Sequence, residues 1–311
     1  MLSNEHIDEY IKNGVVVIEN VLSSDEVDHA RKKFHEQLLN LGIDHDKILA
    51  GEQKYDGGPR IKSDVSKLFY AKWKLLDIHL HPNVCHAIDE LMNATYNNNE
   101  MKKFSHPFGK FDTNLVYIDR VCWRLPDTIR VEGGLDLHLD RNPFDPYFER
   151  LSKWRPIQTF VTLTDHFGPE SGGLKVVKGF HNISNDYFGE IKDKDASTGG
   201  EFYRMNSKSH AKLHKKSEAV YAPKGSLVCW DNRLPHATCD KLSGFDTREV
   251  VYTGFLPNVE LNKKYIANQL LALRKNIIPP AYSNNDNKKK CDKNWNELEL
   301  TLDQKNRLGI L

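Results

Sequence analysis

The stretch that indicates the fold of this chain is Ile157-Gln-Thr-Phe-Val-Thr-Leu-Thr-Asp-His-Phe-Gly-Pro-Glu-Ser-Gly-Gly-Leu-Lys-Val-Val-Lys-Gly-Phe-His181. A strand is predicted at 156–164, over the first part of this stretch, because these residues are rich in β-branched types. An acidic, glycine-containing turn follows, and 173–178 is predicted to be a second strand. Two short strands so close together along the chain are typical of a β-sandwich or barrel.

Further β-rich runs lie on both sides of this stretch. They are short and separated by turn residues, which again favours a sandwich or barrel. Strands are predicted at 14–20, 113–124, 128–140, 156–164, 173–178, 218–222, 226–230 and 248–256.

Helical patterns precede and follow this β-rich part. Ser23 with Glu26 gives a capping-box signature at the start of one of them. A loop is predicted at 42–62, and helices are predicted at 4–12, 23–39, 63–77, 82–93, about 260–275 and about 295–307. The sequence therefore predicts an α+β fold with a jelly-roll core.

We expect one domain over residues 1–311. Its parts are a mainly helical segment at 1–111, a β core at 112–257 and a helical tail at 258–311. The tail includes a polar, low-complexity linker at 283–292.

Composition and charge exclude several kinds of partner. Lys and Arg total 44 against 43 Asp and Glu, so the net charge of +1 gives no general attraction to nucleic acid or anionic membranes. The N-terminus does not resemble a signal peptide, and no apolar stretch reaches the roughly 20 residues that span a bilayer. The five cysteines are widely spaced without a Cys-x-x-Cys pair, which argues against a disulfide framework. We expect a cytoplasmic protein with no membrane partner, and the sequence does not determine its oligomeric state.

The sharpest local feature is Leu137-His138-Leu139-Asp140. In a strand, residues i and i+2 point to one face, so His138 and Asp140 would project together. An imidazole and a carboxylate on one face are two of the three ligands of a non-haem Fe(II) facial triad. The spacing alone is weak, because a His-x-Asp triplet is expected about once by chance in a chain with 14 His. His6-Ile7-Asp8 is such a chance match, since in a helix the two side chains diverge by about 200°.

A third ligand should be a histidine on another strand, and His236 follows the predicted strand 226–230 after a short polar loop. Arg248 opens the buried strand 248–256 and needs an anionic partner there. A bidentate carboxylate, such as the distal carboxylate of 2-oxoglutarate, suits a guanidinium. For each residue alone an ordinary role stays open: a hydrogen-bonded loop histidine for His236, and an internal salt bridge for Arg248.

Four motifs, taken in their order along this chain, resemble the phytanoyl-CoA dioxygenase-like family of Fe(II)- and 2-oxoglutarate-dependent oxygenases. The most specific is 157–181, where the family has a strand, an acidic turn, an Asn/Ser-Gly-x-Leu turn, a strand and Pro-Gly-Ser/Thr-His. The chain departs at Lys178, which replaces the proline and touches no predicted ligand. Residues 10–27 resemble the family's opening helix, its Asn-Gly-Phe-Val-Val strand and its Leu-Ser-x-Glu-Glu helix start. The resemblance covers about 4–257, although 42–112 match poorly.

The resemblance implies a double-stranded β-helix, jelly-roll or cupin-like, with His138, Asp140 and His236 at its mouth as catalytic Fe(II) ligands. It also implies 2-oxoglutarate as cosubstrate, held by Arg248. The implied reaction hydroxylates a substrate with O2 and releases succinate and CO2. We take Ile157, Thr159, Val161 and Leu163 as the inward face of their strand. Thr159 is then a predicted cosubstrate contact, with a core threonine as the alternative.

The substrate is expected to be a small molecule, and nucleic acid is not expected. Other functions stay open: a non-catalytic β-helix ligand-binding protein, a protein- or nucleic-acid-modifying oxygenase, or another metal-dependent reaction such as an isomerase or hydrolase. Arg124, Arg141 and Arg155 lie near the ligands in sequence and could reach an anionic substrate, with structural ion pairs as the alternative.

The segment 182–217 is too long for an ordinary hairpin loop, and we predict that it is a substrate-contacting lid. Its basic end, 207–216, could guide a phosphate or carboxylate. A solvated surface loop is the alternative.

Overall fold

Two five-stranded antiparallel sheets form the β part of the structure. The structure is a computed structural model that describes residues 2–57, 68–97, 104, 106–144, 153–191, 202–275, 277 and 299–311. Sheet A has the spatial order β1 (Val15–Ile18), β8 (Leu227–Asp231), β4 (Ile157–Thr162), β10 (Arg248–Pro257) and β2 (Asn114–Arg124). Sheet B has the order β6 (Tyr203–Arg204), β3 (His138–Leu139), β9 (His236–Thr238), β5 (Leu174–Val176) and β7 (Glu218–Ala219).

Helices flank these sheets in sequence. Before them lie α1 (Asn4–Asn13), α2 (Ser24–Asn40), α3 (His45–Leu49), α4 (Lys72–Lys74) with a π-helical continuation (Leu75–His79), and α5 (Pro82–Ala94). Between strands lie a 3₁₀ turn (Phe180–Asn182), α6 (Ser184–Glu190) and α7 (Ala211–Lys216), and after them lie α8 (Glu260–Arg274) and α9 (Leu302–Arg307). The predicted capping box is present, because Ser23 and Glu26 exchange hydrogen bonds at the start of α2. No described helix combines the length and apolar character that a membrane span requires.

Two apolar clusters occupy the two faces of sheet A. One contains Val161 of β4 and Val251 of β10 together with residues of α2, α5 and α8. The other contains Phe160 of β4 together with Leu174 and Val176 of sheet B. Because side chains alternate along a strand, sheet A is covered by helices on one face and by sheet B on the other. Burying both faces of β4 makes all six of its residues inaccessible.

The stretch 157–181 forms the two predicted strands, but they belong to different sheets: β4 belongs to sheet A and β5 to sheet B. The strand prediction for 128–140 is wrong except at 138–139. Gly133 has a positive φ of 67°, which favours glycine, and a Cβ on Gly134 would collide with the carbonyl oxygen of Thr238. The glycines therefore form an irregular approach to β3 instead of a strand.

The other secondary-structure predictions also include confirmed and wrong ones. The strands predicted at 14–20, 113–124, 226–230 and 248–256 are confirmed, as are the helices at 4–12, 23–39, 82–93 and 260–275. The loop prediction for 42–62 is wrong at α3, whose N-terminus is capped by Asp44. The linker 283–292 and part of the predicted helices 63–77 and 295–307 lie outside the described residues. The single-domain assignment stays a prediction.

Candidate functional site

The pairing of β3 with β9 brings the predicted metal ligands together. His138 lies directly opposite His236 in this pairing, and Asp140 follows β3 by one residue. One ligand atom from each of the three side chains lies within 4.8 Å of the other two. His138 Nε2 is 3.4 Å from Asp140 Oδ1, and His236 Nε2 is 3.8 Å from Asp140 Oδ2. The third ligand was expected on another strand, and His236 is the first residue of β9.

Backbone carbonyl groups orient both imidazoles. His138 Nδ1 donates to the carbonyl oxygen of Asp136 at 2.7 Å, and His236 Nδ1 donates to that of Leu234 at 3.0 Å. A hydrogen on Nδ1 leaves the Nε2 lone pair free for a metal, and this second contact is typical of histidine ligands. Both Nε2 atoms face Asp140, so the donor set is two imidazole nitrogens and one carboxylate, which suits Fe(II).

The pKa shifts favour the protonation states that a metal requires. Burial would raise the pKa of Asp140, but hydrogen bonds and charge interactions with His138 and His236 outweigh it and hold that pKa well below its usual value. Burial and the neighbouring His138 lower the pKa of His236, although Asp140 acts against them. An ionised carboxylate and a neutral imidazole are therefore both favoured near neutral pH.

Gln158 is a candidate site residue that the sequence analysis missed. Its Nε2 donates to Asp140 Oδ2 at 2.7 Å, and its Oε1 has no hydrogen-bond partner although it is buried. The assignment of Ile157, Thr159, Val161 and Leu163 as the inward face is wrong, because Gln158 and Phe160 face sheet B instead. A glutamine within the predicted strand 156–164 was the available signal.

Replacing Gln158 by leucine should weaken metal binding. The substitution keeps the side-chain volume but removes the hydrogen bond that orients Asp140, and losing such a contact typically costs 10–100-fold in metal affinity. Fe(II) or Ni(II) titration of the full chain measures this, with Gln158→Glu as a variant that can no longer donate. Gln158→Leu with wild-type metal affinity would show that Asp140 needs no such support.

Thr159 lines the cavity, but its hydroxyl hydrogen-bonds with the carbonyl oxygen of Thr253 at 3.0 Å and with Thr253 Oγ1 at 2.7 Å. Its neighbours on the same face, Ile157 and Val161, belong to the helix-covered cluster. The hydroxyl is thus engaged on the side away from sheet B, and its contact with 2-oxoglutarate stays a prediction.

Arg248 projects from the first position of β10 into the cavity and is 3% exposed. Its Nη1 donates to Cys122 Sγ at 3.1 Å, and its Nε has no hydrogen-bond partner. No carboxylate among the described residues forms an ion pair with it, so the internal salt bridge considered above is not found there. A buried guanidinium of this kind is suited to an anionic ligand.

The cavity that joins these residues has a volume of about 440 Å³. Phe202 and Trp230 flank the histidines, with ring centres 4.9 Å from His138 and 5.4 Å from His236 respectively. The charged residues of the lining are Asp119, Arg120, Asp140, Lys153, Arg155 and Arg248. The metal ligands and Arg248 therefore share one space with further charged groups.

The three arginines named from sequence proximity have different positions. Arg155 lines the cavity. Arg124 instead donates to the carbonyl oxygens of Cys239 and Asp240 and pairs with Asp127. Arg141 is buried but does not belong to the lining.

Only part of the predicted lid 182–217 can be compared, because 192–201 lie outside the described residues. Phe202 contributes to the cavity wall. The four lysines of the basic tract are exposed and do not line the cavity: Lys208, Lys212, Lys215 and Lys216. A role of this tract in guiding substrate stays a prediction.

A second group with metal-ligand geometry consists of His35, His45 and Glu249. Both oxygens of Glu249 are already engaged. Arg31 Nε donates to Oε2 at 2.9 Å, while Thr247 Oγ1 and His35 Nε2 lie 2.6 and 2.7 Å from Oε1. We interpret this group as a buried ion-pair network that links α2 to β10 next to Arg248.

Replacing Glu249 by glutamine should destabilise the fold in a pH-dependent way. Burial alone would raise the pKa of Glu249, but His35 and Arg31 outweigh it and lower that pKa to about 2. A carboxyl group with a lowered folded-state pKa stabilises fully above its unfolded value of about 4.5, and this stability is lost as the pH falls towards 2. The shift corresponds to about 3 kcal/mol. Urea unfolding at pH 7 and pH 3 measures it, and a Glu249→Gln penalty of equal size at both pH values would contradict this assignment.

Known proteins resemble this chain in sequence or in fold. A putative phytanoyl-CoA dioxygenase of Dictyostelium discoideum is 28% identical over 224 residues, covering 63% of this chain and 60% of that protein's length. The structure of GlcNAc Inducible Gene 2, GIG2 (DUF1479), from Candida albicans matches with a TM-score of 0.74 and 20% identity, covering 99% of this chain and 76% of that one.

The non-heme alpha ketoglutarate dependent carbocyclase SnoK from nogalamycin biosynthesis matches with a TM-score of 0.53 and 17% identity, covering 82% of this chain and 84% of that one. At these identities the two solved structures establish similarity of fold. The phytanoyl-CoA dioxygenase (PhyH) family matches residues 10–250, which include the three predicted metal ligands and Arg248. The chain therefore belongs to the phytanoyl-CoA dioxygenase family.

Proposed function

We propose that this chain is an Fe(II)- and 2-oxoglutarate-dependent oxygenase that hydroxylates a small molecule and releases succinate and CO2. The observation that carries the proposal is the placement of His138, Asp140 and His236 in one cavity with Arg248, a buried cation that has no described carboxylate partner. Family membership supports the same reaction class.

The proposed fold of the core is a double-stranded β-helix of the jelly-roll or cupin-like kind. Two antiparallel sheets facing each other across an apolar cluster support it. His138 and His236 lie on β3 and β9 of sheet B, Asp140 directly follows β3, and Arg248 and Gln158 lie on sheet A. The site would thus lie between the sheets, where both can contribute polar groups.

Each residue has a defined task in this proposal. His138, Asp140 and His236 would hold Fe(II), which supplies the activation of O2 that no amino-acid side chain provides. Arg248 would bind the distal carboxylate of 2-oxoglutarate through its paired N–H groups. Gln158 orients Asp140, while Phe202 and Trp230 exclude water from the histidines.

The cavity volume supports a small-molecule substrate. About 440 Å³ falls at the low end of the range for small-molecule sites, and the cosubstrate would take part of it. The described walls therefore suit a compact reacting group better than a folded protein or a nucleic-acid duplex.

Anaerobic addition of Fe(II) and 2-oxoglutarate tests the proposal. A weak visible charge-transfer band that needs both components is expected, followed by succinate release when O2 is admitted. A non-catalytic binding protein, or an isomerase or hydrolase on the same scaffold, would give neither signal.

A further inference from the structure

The cavity has a second cationic region, separate from Arg248. Arg155 precedes β4 by two residues, whereas Arg248 begins β10. The strands are antiparallel, and the backbone N–H of Leu163, just after β4, donates to the carbonyl oxygen of Glu249. The backbones of Arg155 and Arg248 therefore lie at opposite ends of β4, although both residues line the same cavity.

The guanidinium of Arg155 makes a cation–π contact with Tyr117 and long ion pairs with two carboxylates. Its centre lies 4.9 Å from the ring centre of Tyr117. Two carboxylate oxygens lie near it: Asp119 Oδ2 is 3.5 Å from Nη1, and Asp140 Oδ2 is 3.9 Å from Nη2. Both distances are longer than the roughly 2.8 Å of a good charge-assisted hydrogen bond. The side chain is 16% exposed.

A bulge in β2 adds to this region. The register of β2 against β10 shifts between Val251 and Thr253, and both Asp119 and Arg120 line the cavity beside Arg155. Such bulges redirect side chains, often next to functional sites. Lys153 Nζ also lies 5.5 Å from the Tyr117 ring centre.

The charges of the two regions balance differently. With Fe(II) and the 2-oxoglutarate dianion bound, Asp140 and Arg248 complete a neutral set. The remaining charged residues of the described lining are Asp119, Arg120, Lys153 and Arg155. Among these residues, Arg155 has its Nη2 3.9 Å from Asp140 Oδ2.

We propose that Arg155 binds an anionic group, a carboxylate or a phosphate, of the primary substrate. This inference rests on the proposed function and gives it a substrate class: a small molecule whose anion binds beside Tyr117. Because Arg155 is close to Asp140, the anion would fix which carbon atom of the substrate faces the metal. Lys153 and Arg120 would add attraction without determining the position.

Matched acid and amide probes test the proposal. The full chain is loaded with redox-inactive Ni(II) and 2-oxoglutarate, and ligand-observed NMR measures the dissociation constants of hexanoate, hexyl phosphate and hexanamide. The acids should bind at least about tenfold more tightly than the amide. Arg155→Gln should remove that preference, Arg155→Lys should keep part of it, and Arg274→Gln, at an exposed position at the end of α8, should leave it unchanged.

Three results would overturn the inference: equal binding of hexanoate and hexanamide, an acid preference that survives Arg155→Gln, or an acid preference lost through Arg248→Gln instead. The anaerobic Fe(II) and 2-oxoglutarate band is recorded separately. An Arg155-dependent acid preference without that band would retain the anion subsite and reject the oxygenase. The band without an acid preference would retain the oxygenase and reject the subsite.

Discussion

His138→Ala and His236→Ala each abolish iron binding and 2-oxoglutarate turnover. Each substitution removes one of three ligand atoms that lie within 4.8 Å of one another, and the two remaining ligands leave the metal without its facial set. Neither histidine belongs to an apolar cluster, so the fold should survive. Iron per chain after gel filtration and succinate released per minute measure the two losses.

The matched control for these variants is His86→Ala. His86 lies on α5 and its side chain is 59% exposed in an ordinary helix-surface pair with Glu90, far from the ligand strands in sequence. It should keep wild-type iron content and turnover. Thermal unfolding of all three variants separates loss of metal from loss of fold. If a folded His138→Ala or His236→Ala protein turned over at the wild-type rate, that histidine would not be a ligand.

Arg248→Ala weakens 2-oxoglutarate binding by a factor of 30 or more while metal binding changes little. The substitution leaves a buried carboxylate site without its cation, and losing a charge-assisted bidentate contact costs about 2–5 kcal/mol. The guanidinium lies on sheet A, whereas the histidine ligands lie on sheet B, so the metal ligands keep their positions. Titration of the anaerobic charge-transfer band with 2-oxoglutarate measures the affinity.

Arg248→Lys separates charge from geometry in the same assay. Lysine keeps the positive charge but cannot bind a carboxylate through two parallel N–H groups, so its affinity should lie between wild type and alanine. Arg274→Ala serves as the control at an exposed position. An unchanged affinity in folded Arg248→Ala would place the cosubstrate anchor on another residue.

The sequence predicted the elements of the site because local patterns specify them. The His-x-Asp spacing in a strand places His138 and Asp140 on one face, and the structure brings them together with His236 as predicted. A guanidinium that opens a buried strand needs an anion, which drew attention to Arg248. Capping and apolar periodicity likewise predicted the limits of α2 to within a residue or two.

The wrong inward face assigned to β4 has a physical cause, because the assignment depended on what packs against the strand. β4 is inaccessible on both faces, so its sequence does not show which face meets the site. Because side chains alternate between the two faces of a strand, the sequence did not distinguish Thr159 from Gln158 as the residue that faces the site. Only the packing of sheet B placed Gln158 against Asp140. The short strands β6 and β9 have too few residues for a periodic signal, yet β9 carries His236.

The sequence by itself therefore determined which residue types are present at metal-ligand and anion-binding spacing, since these patterns are local. The tertiary structure decided which of them meet: His138 faces His236 across a strand pair, and Arg155 enters the cavity while Arg124 bonds to carbonyl groups elsewhere. These contacts join residues about a hundred positions apart in most cases, and no local pattern encodes such a pairing. The packing of two sheets fixes it, because both must bury their apolar faces against each other.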